Sequence, residues 1–334
     1  MQTGEFFCAI CLFSCTTEDV AFIPVRDHLK CGYVDGNGNM VIDARFNKAC
    51  KFYNGLAAVR VDGQWGYIDK SGKFAIEPQF ESARRFSGCG LAAVEINGAW
   101  GYVDKSGKFV IEPNLYSAHT FSDCGLALVR NNGKSVYINT KGESVIDAEH
   151  YSDPQDFCDN GLAAVRVDGQ WGFIDKKGKM VIEPQFEYCP HPFTANGVAV
   201  LSLGRNKYGV IDESGKFVVE PKYSLIRDFS ESDLAAVEVG SCQWGFMDKK
   251  GKIVIDPFPA YGVGMITTDG FAPIVGNKHL WGCIDKTGEI LIEPKYEHMF
   301  IYKNIICVEQ NRKWSIIDKK GNIIAEIPEV LLYA

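Results

Sequence analysis

The chain has 334 residues, of which 46% are apolar and 23% charged, values typical of a packed globular protein that exclude a disordered or collagen-like chain. Its net charge of −7 argues against nucleic-acid binding, because that function needs a basic surface that displaces counterions from phosphates. No apolar run is long enough to predict a transmembrane helix.

The N-terminal segment lies outside the regular pattern of the chain, and we interpret residues 1–20 as a strand or cap. Residues 6–13 form a short apolar run, but the chain starts Met-Gln-Thr-Gly-Glu, with an acid and no base. A secretory signal begins with positive charge, so this start does not favour one. The alternative is that Leu12–Cys15, which has the form of a lipoprotein processing site, leads to export or lipid anchoring.

Residues 21–334 are built from tandem copies of one unit, whose signature is Trp-Gly-aromatic-aliphatic-Asp. The anchor position of this signature recurs at 31, 65, 100, 135, 171, 208, 244, 281 and 314, which gives nine repeats of about 35 residues. We expect the tryptophans to form a buried aromatic spine between stacked repeats, and the alternative is an exposed ladder that binds a ligand. All six tryptophans occupy the anchor position: Trp65, Trp100, Trp171, Trp244, Trp281 and Trp314.

Each repeat predicts three short strands, which in the second repeat cover 56–61, 65–69 and 73–77. Asp-Gly or Asn-Gly between the first two strands indicates a type I′ hairpin, as at 62–63. Asp or Asn followed three residues later by Gly joins the second and third strands in all nine copies, as at Asp69 and Gly72. This spacing is typical of a turn, not of catalytic carboxylates or calcium ligands. Glu77-Pro78 and its counterparts are expected to end the third strand, because proline lacks the ladder N–H.

These units predict an all-β fold, a tandem array of about nine three-stranded antiparallel meanders. We expect an open, twisted, solenoid-like stack with its termini apart, because propeller blades usually hold four strands. A closed, propeller-like ring is the alternative. The first and last copies depart from the consensus, as capping units do.

The string Gly-Leu-Ala-Ala-Val-Arg-Val-Asp-Gly-Gln-Trp-Gly-Tyr-Ile-Asp-Lys-Ser-Gly-Lys at 55–73 resembles the bacterial WG (KWG) repeat family. The resemblance extends over about nine tenths of the chain. It implies a bacterial β-rich repeat protein, and it implies no shared catalytic motif. Copies one, four and six lack the Trp, and copy four also lacks the Gly. The decay of copy four, in mid-array, marks a break in the superhelix or a binding face.

Twelve cysteines are scattered along the chain, about one per repeat beyond the N-terminus. We expect reduced thiols in a cytoplasm, mostly buried as small apolar side chains, and disulfides of a secreted protein are the alternative. Cys89 and Cys124 stand at equivalent connector positions and are candidate neighbours. A metal site at Cys8 and Cys11 with Cys15 and Cys31 is disfavoured because the second Cys-x-x-Cys of a zinc ribbon is missing, so we expect no metal and no cofactor.

No catalytic motif stands out, because no Gly-x-Ser-x-Gly, His-Glu-x-x-His or phosphate-binding loop is present. We therefore expect a non-enzymatic scaffold for protein–protein interaction, with a protein partner, and the alternative is a carbohydrate- or small-ligand-binding module that uses exposed aromatics. Two connectors break the repeat and are candidate binding loops, although local packing around their prolines explains them as well. Their candidate residues are Tyr188, His191, Phe193, Phe258 and Tyr261.

Overall fold

The computed structural model describes residues 22–194, 197–230, 232–302 and 305–330. Over these residues the chain forms nine small antiparallel sheets, as many as the sequence has repeats. The cap expected at residues 1–20, Leu12–Cys15, and the thiols at 8, 11 and 15 lie outside the described residues. We number the sheets as blades 1–9 in the order of their first strands.

Each blade contains a first, a second and a third strand, joined in that order by tight turns. The first strands are β1 (Ile23–Asp27), β5 (Ala57–Val61), β9 (Ala92–Ile96), β13 (Leu126–Asn131), β16 (Ala163–Val167), β19 (Val198–Ser202), β23 (Leu234–Gly240), β27 (Ala272–Val275) and β31 (Ile305–Gln310). The second strands are β2 (Lys30–Val34), β6 (Gln64–Ile68), β10 (Ala99–Val103), β14 (Lys134–Asn139), β17 (Gln170–Ile174), β20 (Tyr208–Asp212), β24 (Gln243–Asp248), β28 (Trp281–Ile284) and β32 (Lys313–Ile317). The third strands are β3 (Met40–Phe46), β7 (Phe74–Phe80), β11 (Phe109–Leu115), β15 (Ser144–Asp147), β18 (Met180–Phe186), β21 (Phe217–Tyr223), β25 (Ile253–Pro259), β29 (Ile290–Tyr296) and β33 (Ile323–Ile327).

Seven blades have a fourth strand, which lies in the connector and pairs with the first strand. Most of these connector strands are two residues long, which is too short to show the alternation of apolar and polar residues by which a strand is predicted from sequence. Blades 5 and 6 have three strands, and a single-turn 3-10 helix, Asn277–His279, lies in blade 8. The connector strands are β4 (Lys48–Ala49), β8 (Ser82–Ala83), β12 (Ser117–Ala118), β22 (Leu225–Ile226), β26 (Gly262–Val263), β30 (His298–Tyr302) and β34 (Glu329–Val330).

The sheets form a closed ring, a nine-bladed β-propeller, so the expected open array with separated termini is wrong. The last strand, β34, pairs with the first, β1, and sets Val25 opposite Val330 and Arg26 opposite Glu329. A shared core that includes Val25 and Trp314 fills the space between blades 1 and 9. The first and last copies therefore close the ring instead of capping a stack. The connector strand supplies the fourth strand whose absence had favoured the open array.

The third strand continues through its Glu-Pro, contrary to the expectation that proline ends it. In blade 2 the register shifts at this point, so that Tyr67 faces Ile76 and Trp65 faces Phe80. A β-bulge accommodates a residue that lacks the ladder N–H. The bulge comes close to the Gly of Trp-Gly, since a Cβ on Gly66 would lie 2.6 Å from the Ile76 carbonyl oxygen. The Gly thus makes room for the third strand of its own blade.

The turn chemistry is confirmed. Asp62 and Gly63 both have positive φ, 47° and 89°, which is the type I′ conformation. In the second turn the Asp69 carboxylate accepts the N–H groups of Ser71 and Lys73, and Gly72 has a φ of 79°. A hydrogen bond from the Ser71 hydroxyl, together with those from these N–H groups, holds the pKa of Asp69 below its usual value.

The core consists of nine apolar clusters, one at each boundary between neighbouring blades. Between blades 2 and 3, for example, the Tyr67 ring packs against Phe86 with centroids 4.7 Å apart. Successive side chains of a first strand point to opposite faces, so Ala57 packs towards blade 1 and Ala58 towards blade 3. Each blade therefore packs against a neighbour on both of its faces. All nine blades can do so because the ring is closed.

The nine cysteines in the described ranges form no disulfide with one another. Cys89 is exposed and Cys124 half-buried, and each lies within 3.0 Å of a serine hydroxyl two residues earlier.

Among the described residues, the helical segments are all too short and too polar to span a membrane.

Candidate functional site

The connectors run alongside the first strands in the same way from blade to blade. In blade 3 the N–H groups of Glu81 and Arg84 donate to the carbonyls of Glu95 and Ala93, both at 2.9 Å. The same pair of bonds recurs in the connectors of blades 2, 4, 5, 7 and 8, and blade 6 has the second of them, from the His191 N–H to the Val200 carbonyl. Residues at matching positions can therefore be compared directly, and the residue that corresponds to Glu81 is called here the first connector position.

In blades 2 and 3 the first connector position has a structural task. The side chain of Asn47 accepts the N–H of Asp62 at 3.0 Å. The Glu81 carboxylate accepts the N–H groups of Asn97 and Gly98 at 3.0 and 3.1 Å. Each side chain thereby caps the hairpin turn between the first and second strands.

In blades 4, 6 and 8 the same position holds a solvent-exposed tyrosine. Tyr116 is 73% exposed, Tyr188 45% and Tyr261 56%. None of their hydroxyls has a hydrogen-bond partner among the described residues, and none caps a hairpin. A large amphipathic ring kept in water without a structural task is typical of a contact residue. We name Tyr116, Tyr188 and Tyr261 the tyrosine set.

Sequence analysis identified two of these three residues and missed the first. Tyr188 and Tyr261 lie in the connectors that visibly break the repeat, whereas Tyr116 lies in a connector of ordinary length. The signal that finds it is spacing, because positions 116, 188 and 261 are separated by two repeats each. The structure does not bring the three rings together; it distributes them over alternate blades.

The other candidate residues of these connectors belong to the packing between blades. Phe193 is buried against Phe173, with ring centroids 4.8 Å apart. Phe258 is partly buried and pairs across the sheet with Trp244. Their positions agree with the alternative of local packing, and neither offers a free surface.

His191 joins blades 6 and 7. Its Nδ1 lies 2.5 Å from a carboxylate oxygen of Asp228. Burial lowers the pKa of His191, but the hydrogen bond to Asp228 and the charge of that carboxylate raise it by more, and the net pKa lies above its usual value. His119 and Asp156 make the equivalent contact between blades 4 and 5 at 2.9 Å. These pairs are clasps between blades.

The tryptophans do not form a continuous spine. Trp171, Trp244 and Trp314 are buried, and the other three are half-buried. Five ring pairs at the blade boundaries join a Tyr or Phe of the second strand to a connector Phe, two join phenylalanines of neighbouring third strands, and no described Trp ring stacks on another. Since no Trp is exposed, the structure does not show the alternative ligand ladder.

A cleft lies among the connectors of blades 2–5 and is lined by charged, hydroxyl and aromatic side chains. The Arg85 guanidinium lies 4.5 Å from the centroid of the Tyr53 ring in this cleft. Burial and the nearby charge of Asp123 raise the pKa of Asp159, and the positive charge of Arg85 partly offsets this rise. Arg84, beside it in the chain, donates to the Ala118 carbonyl of the next blade. This arginine pair therefore contributes to packing between blades.

A scan of family models matches the chain to the family described as WG containing repeat, at residues 32–65, 65–98, 100–134, 137–171, 171–206, 208–241, 244–257 and 281–314. No curated protein matches the chain. A crystal structure of a eukaryotic initiation factor has 13% identity and a TM-score of 0.66, over 93% of this chain and 97% of that chain. BamB from Moraxella catarrhalis has 11% identity and a TM-score of 0.44, over 82% of this chain and 94% of that chain. The first of these likenesses concerns the fold alone, and the second is too distant to carry an argument.

Proposed function

The chain belongs to the WG containing repeat family and closes into a nine-bladed ring, and from this we propose that it is a non-enzymatic scaffold that binds a protein partner. The observation that carries the proposal is the tyrosine set. Exposed tyrosines are enriched in protein interfaces because they bury a large area at a low cost in side-chain entropy. At the first connector position, a ring replaces the polar side chain that caps the hairpin in blades 2 and 3.

The alternate placement of the tyrosine set supports a scaffold more than a pocket. Each ring is carried by a different blade, and each blade is packed against both neighbours, so the rings are held in a fixed arrangement. A partner with several contact points gains affinity from such an arrangement, because its second and third contacts become intramolecular. A carbohydrate module would instead use rings that line one cleft, and no member of the tyrosine set lines the cleft of blades 2–5.

The same proposal includes a cytoplasmic location, which rests on the cysteine argument. Burial raises the pKa of Cys50 to about 11 and those of Cys283 and Cys307 to about 12. Thiols with such pKa values are protonated and unreactive at neutral pH. They serve as apolar side chains, a use that suits a reducing compartment.

Affinity capture from a lysate of the source organism tests the proposal. The baits are the wild-type chain and a variant with Tyr116→Ser, Tyr188→Ser and Tyr261→Ser, since blades 5 and 7 carry Ser at this position. We expect the wild type to retain a discrete protein that the variant loses, and the purified partner to bind the wild type directly. Equal recovery by both baits, or a glycan array that binds the wild type while no protein does, would refute the proposal. Circular dichroism of both baits controls for folding.

A further inference from the structure

We propose that the tyrosine set and the hairpins beside it recognise an acidic segment of the protein partner. The inference rests on the proposed scaffold function and adds the chemistry of the partner. It follows from the charges that stand next to the exposed rings. The relevant hairpin in each blade runs from the end of the first strand to the start of the second.

The hairpins beside the tyrosine set are basic and contain no acid. They are residues 130–134, 202–208 and 275–281 in blades 4, 6 and 8. The cations in these segments are all exposed. They are Arg130, Lys134, Arg205, Lys207 and Lys278, with His279 beside the last.

Each of the other six hairpins contains an acid. The division is complete, since every blade with an exposed tyrosine lacks the acid and every blade without one has it. In a chain with a net charge of −7, three acid-free hairpins beside three exposed rings are the local exception. The acids of the other six hairpins are Asp27, Asp62, Glu95, Asp168, Glu238 and Glu309.

Each ring lies beside its hairpin. The Arg130 guanidinium carbon is 5.7 Å from the centroid of the Tyr116 ring, and the ring of His279, which follows the exposed Lys278, is 5.4 Å from that of Tyr261. The Tyr188 ring lies beside Gly204, directly before the exposed Arg205. A ring edged by a cation offers both an apolar surface and a site for a carboxylate. This combination suits a segment in which acidic and aromatic or aliphatic residues are mixed.

Two nearby acids reduce the positive charge that the hairpins beside the tyrosine set offer to a partner. Glu149 binds Lys134 at 2.8 Å, so Arg130 is the main cation of the blade 4 site. Glu187 precedes Tyr188 in the chain and is exposed, which reduces the positive charge around the blade 6 site. With these acids counted, each of the three sites keeps a net charge of about +1, so all three share the charge recognition.

Two labelled peptides test the charge recognition in fluorescence anisotropy at low ionic strength. One has four Glu-Glu-Phe-Gly repeats, and the other has the same sequence with Gln in place of Glu. The site variant combines Arg130→Gln, Arg205→Gln and Lys278→Gln. The matched control combines Arg60→Gln, Arg166→Gln and Lys313→Gln, which removes as much charge from hairpins of other blades.

We expect the Glu peptide to bind the wild type more tightly than the Gln peptide, with an affinity that falls as salt is added. The site variant is expected to lower that affinity about tenfold, and the control less than about twofold. Equal binding of the two peptides, or an equal loss in both variants, would overturn the inference, because charge recognition would be absent or spread over the ring.

The same two variants, used as baits in the lysate capture, separate this inference from the proposed function. If the site variant retains the partner as well as the wild type does, the acidic-segment inference is wrong and the scaffold function stands. If the wild type itself retains no discrete protein, the scaffold function is wrong. Loss of the partner by the site variant and its retention by the control support both.

Discussion

The blade boundaries fall into two regions that solve the same packing problem differently. Two residues after the anchor, blades 1–4 place a buried tyrosine whose hydroxyl donates to a connector carbonyl of the next blade, at 2.5 to 2.7 Å. Blades 5–9 place a buried apolar residue there. The tyrosines are Tyr33, Tyr67, Tyr102 and Tyr137, and the apolar residues are Phe173, Val210, Phe246, Cys283 and Ile316.

The comparison shows that a side chain buried in the boundary core, not the hydroxyl, is what all nine positions share. Tyr102 packs on Phe121 at 4.6 Å and Phe173 on Phe193 at 4.8 Å, almost the same distance with and without the hydroxyl. Burial raises the pKa of Tyr102 well above its usual value, so its hydroxyl remains a donor at any physiological pH. In blades 1–4 the hydrogen bond adds a fixed direction to a contact that dispersion and burial already stabilise.

The largest effect is expected from removal of the ring. Tyr102→Ala and Phe173→Ala each leave a cavity at a boundary, and each should lower the free energy of unfolding by about 3–5 kcal/mol. Urea unfolding followed by tryptophan fluorescence measures the loss. The exposed Val254→Ala is the control and should change the free energy by less than about 0.5 kcal/mol. If only the tyrosine variant were strongly destabilised, the buried side chain would not be the shared requirement.

An intermediate effect is expected from exchange of the hydroxyl alone. Tyr102→Phe leaves the His119 carbonyl without its donor and should cost about 1–3 kcal/mol. Phe173→Tyr, the reverse change, should stay within about 1 kcal/mol of the wild type, because its hydroxyl can reach the corresponding carbonyl of His191. Thermal and urea unfolding of the two variants measure the difference. A cost as large for Phe173→Tyr as for Tyr102→Phe would show that the second region has no room for the bond.

The smallest effect concerns the clasp that joins blades 6 and 7, where the tyrosine bond is missing. Because the pKa of His191 is raised in the folded chain, its contribution to stability is full below about pH 6.5, the value in an unfolded chain. The contribution is lost as the pH rises through the folded pKa. We therefore expect the difference in unfolding free energy between the wild type and His191→Gln to shrink from pH 6 to pH 8.5. A difference that stays constant or grows would contradict the assigned protonation.

The sequence predicts the local structure of the repeat because turn chemistry is local. The Asp-Gly and Asp-x-x-Gly spacings specify both hairpin turns, and the anchor spacing counts the blades correctly. The tyrosine set was predicted in part, since Tyr188 and Tyr261 stand in visibly irregular connectors. Tyr116 was missed because its connector has an ordinary length. Its exposure depends on how that connector packs in the folded blade, and the sequence of one connector does not reveal this.

By itself the sequence determined the all-β class, the nine units and their turns, because each depends on residues within about 35 positions of one another. Closure was decided only in the tertiary structure, where a two-residue strand at the end of the described chain pairs with β1. A strand so short carries no pattern, and its partner lies more than 300 residues away. The path of the third strand through its proline was likewise decided there, because the bulge depends on the space left by a glycine on the neighbouring strand.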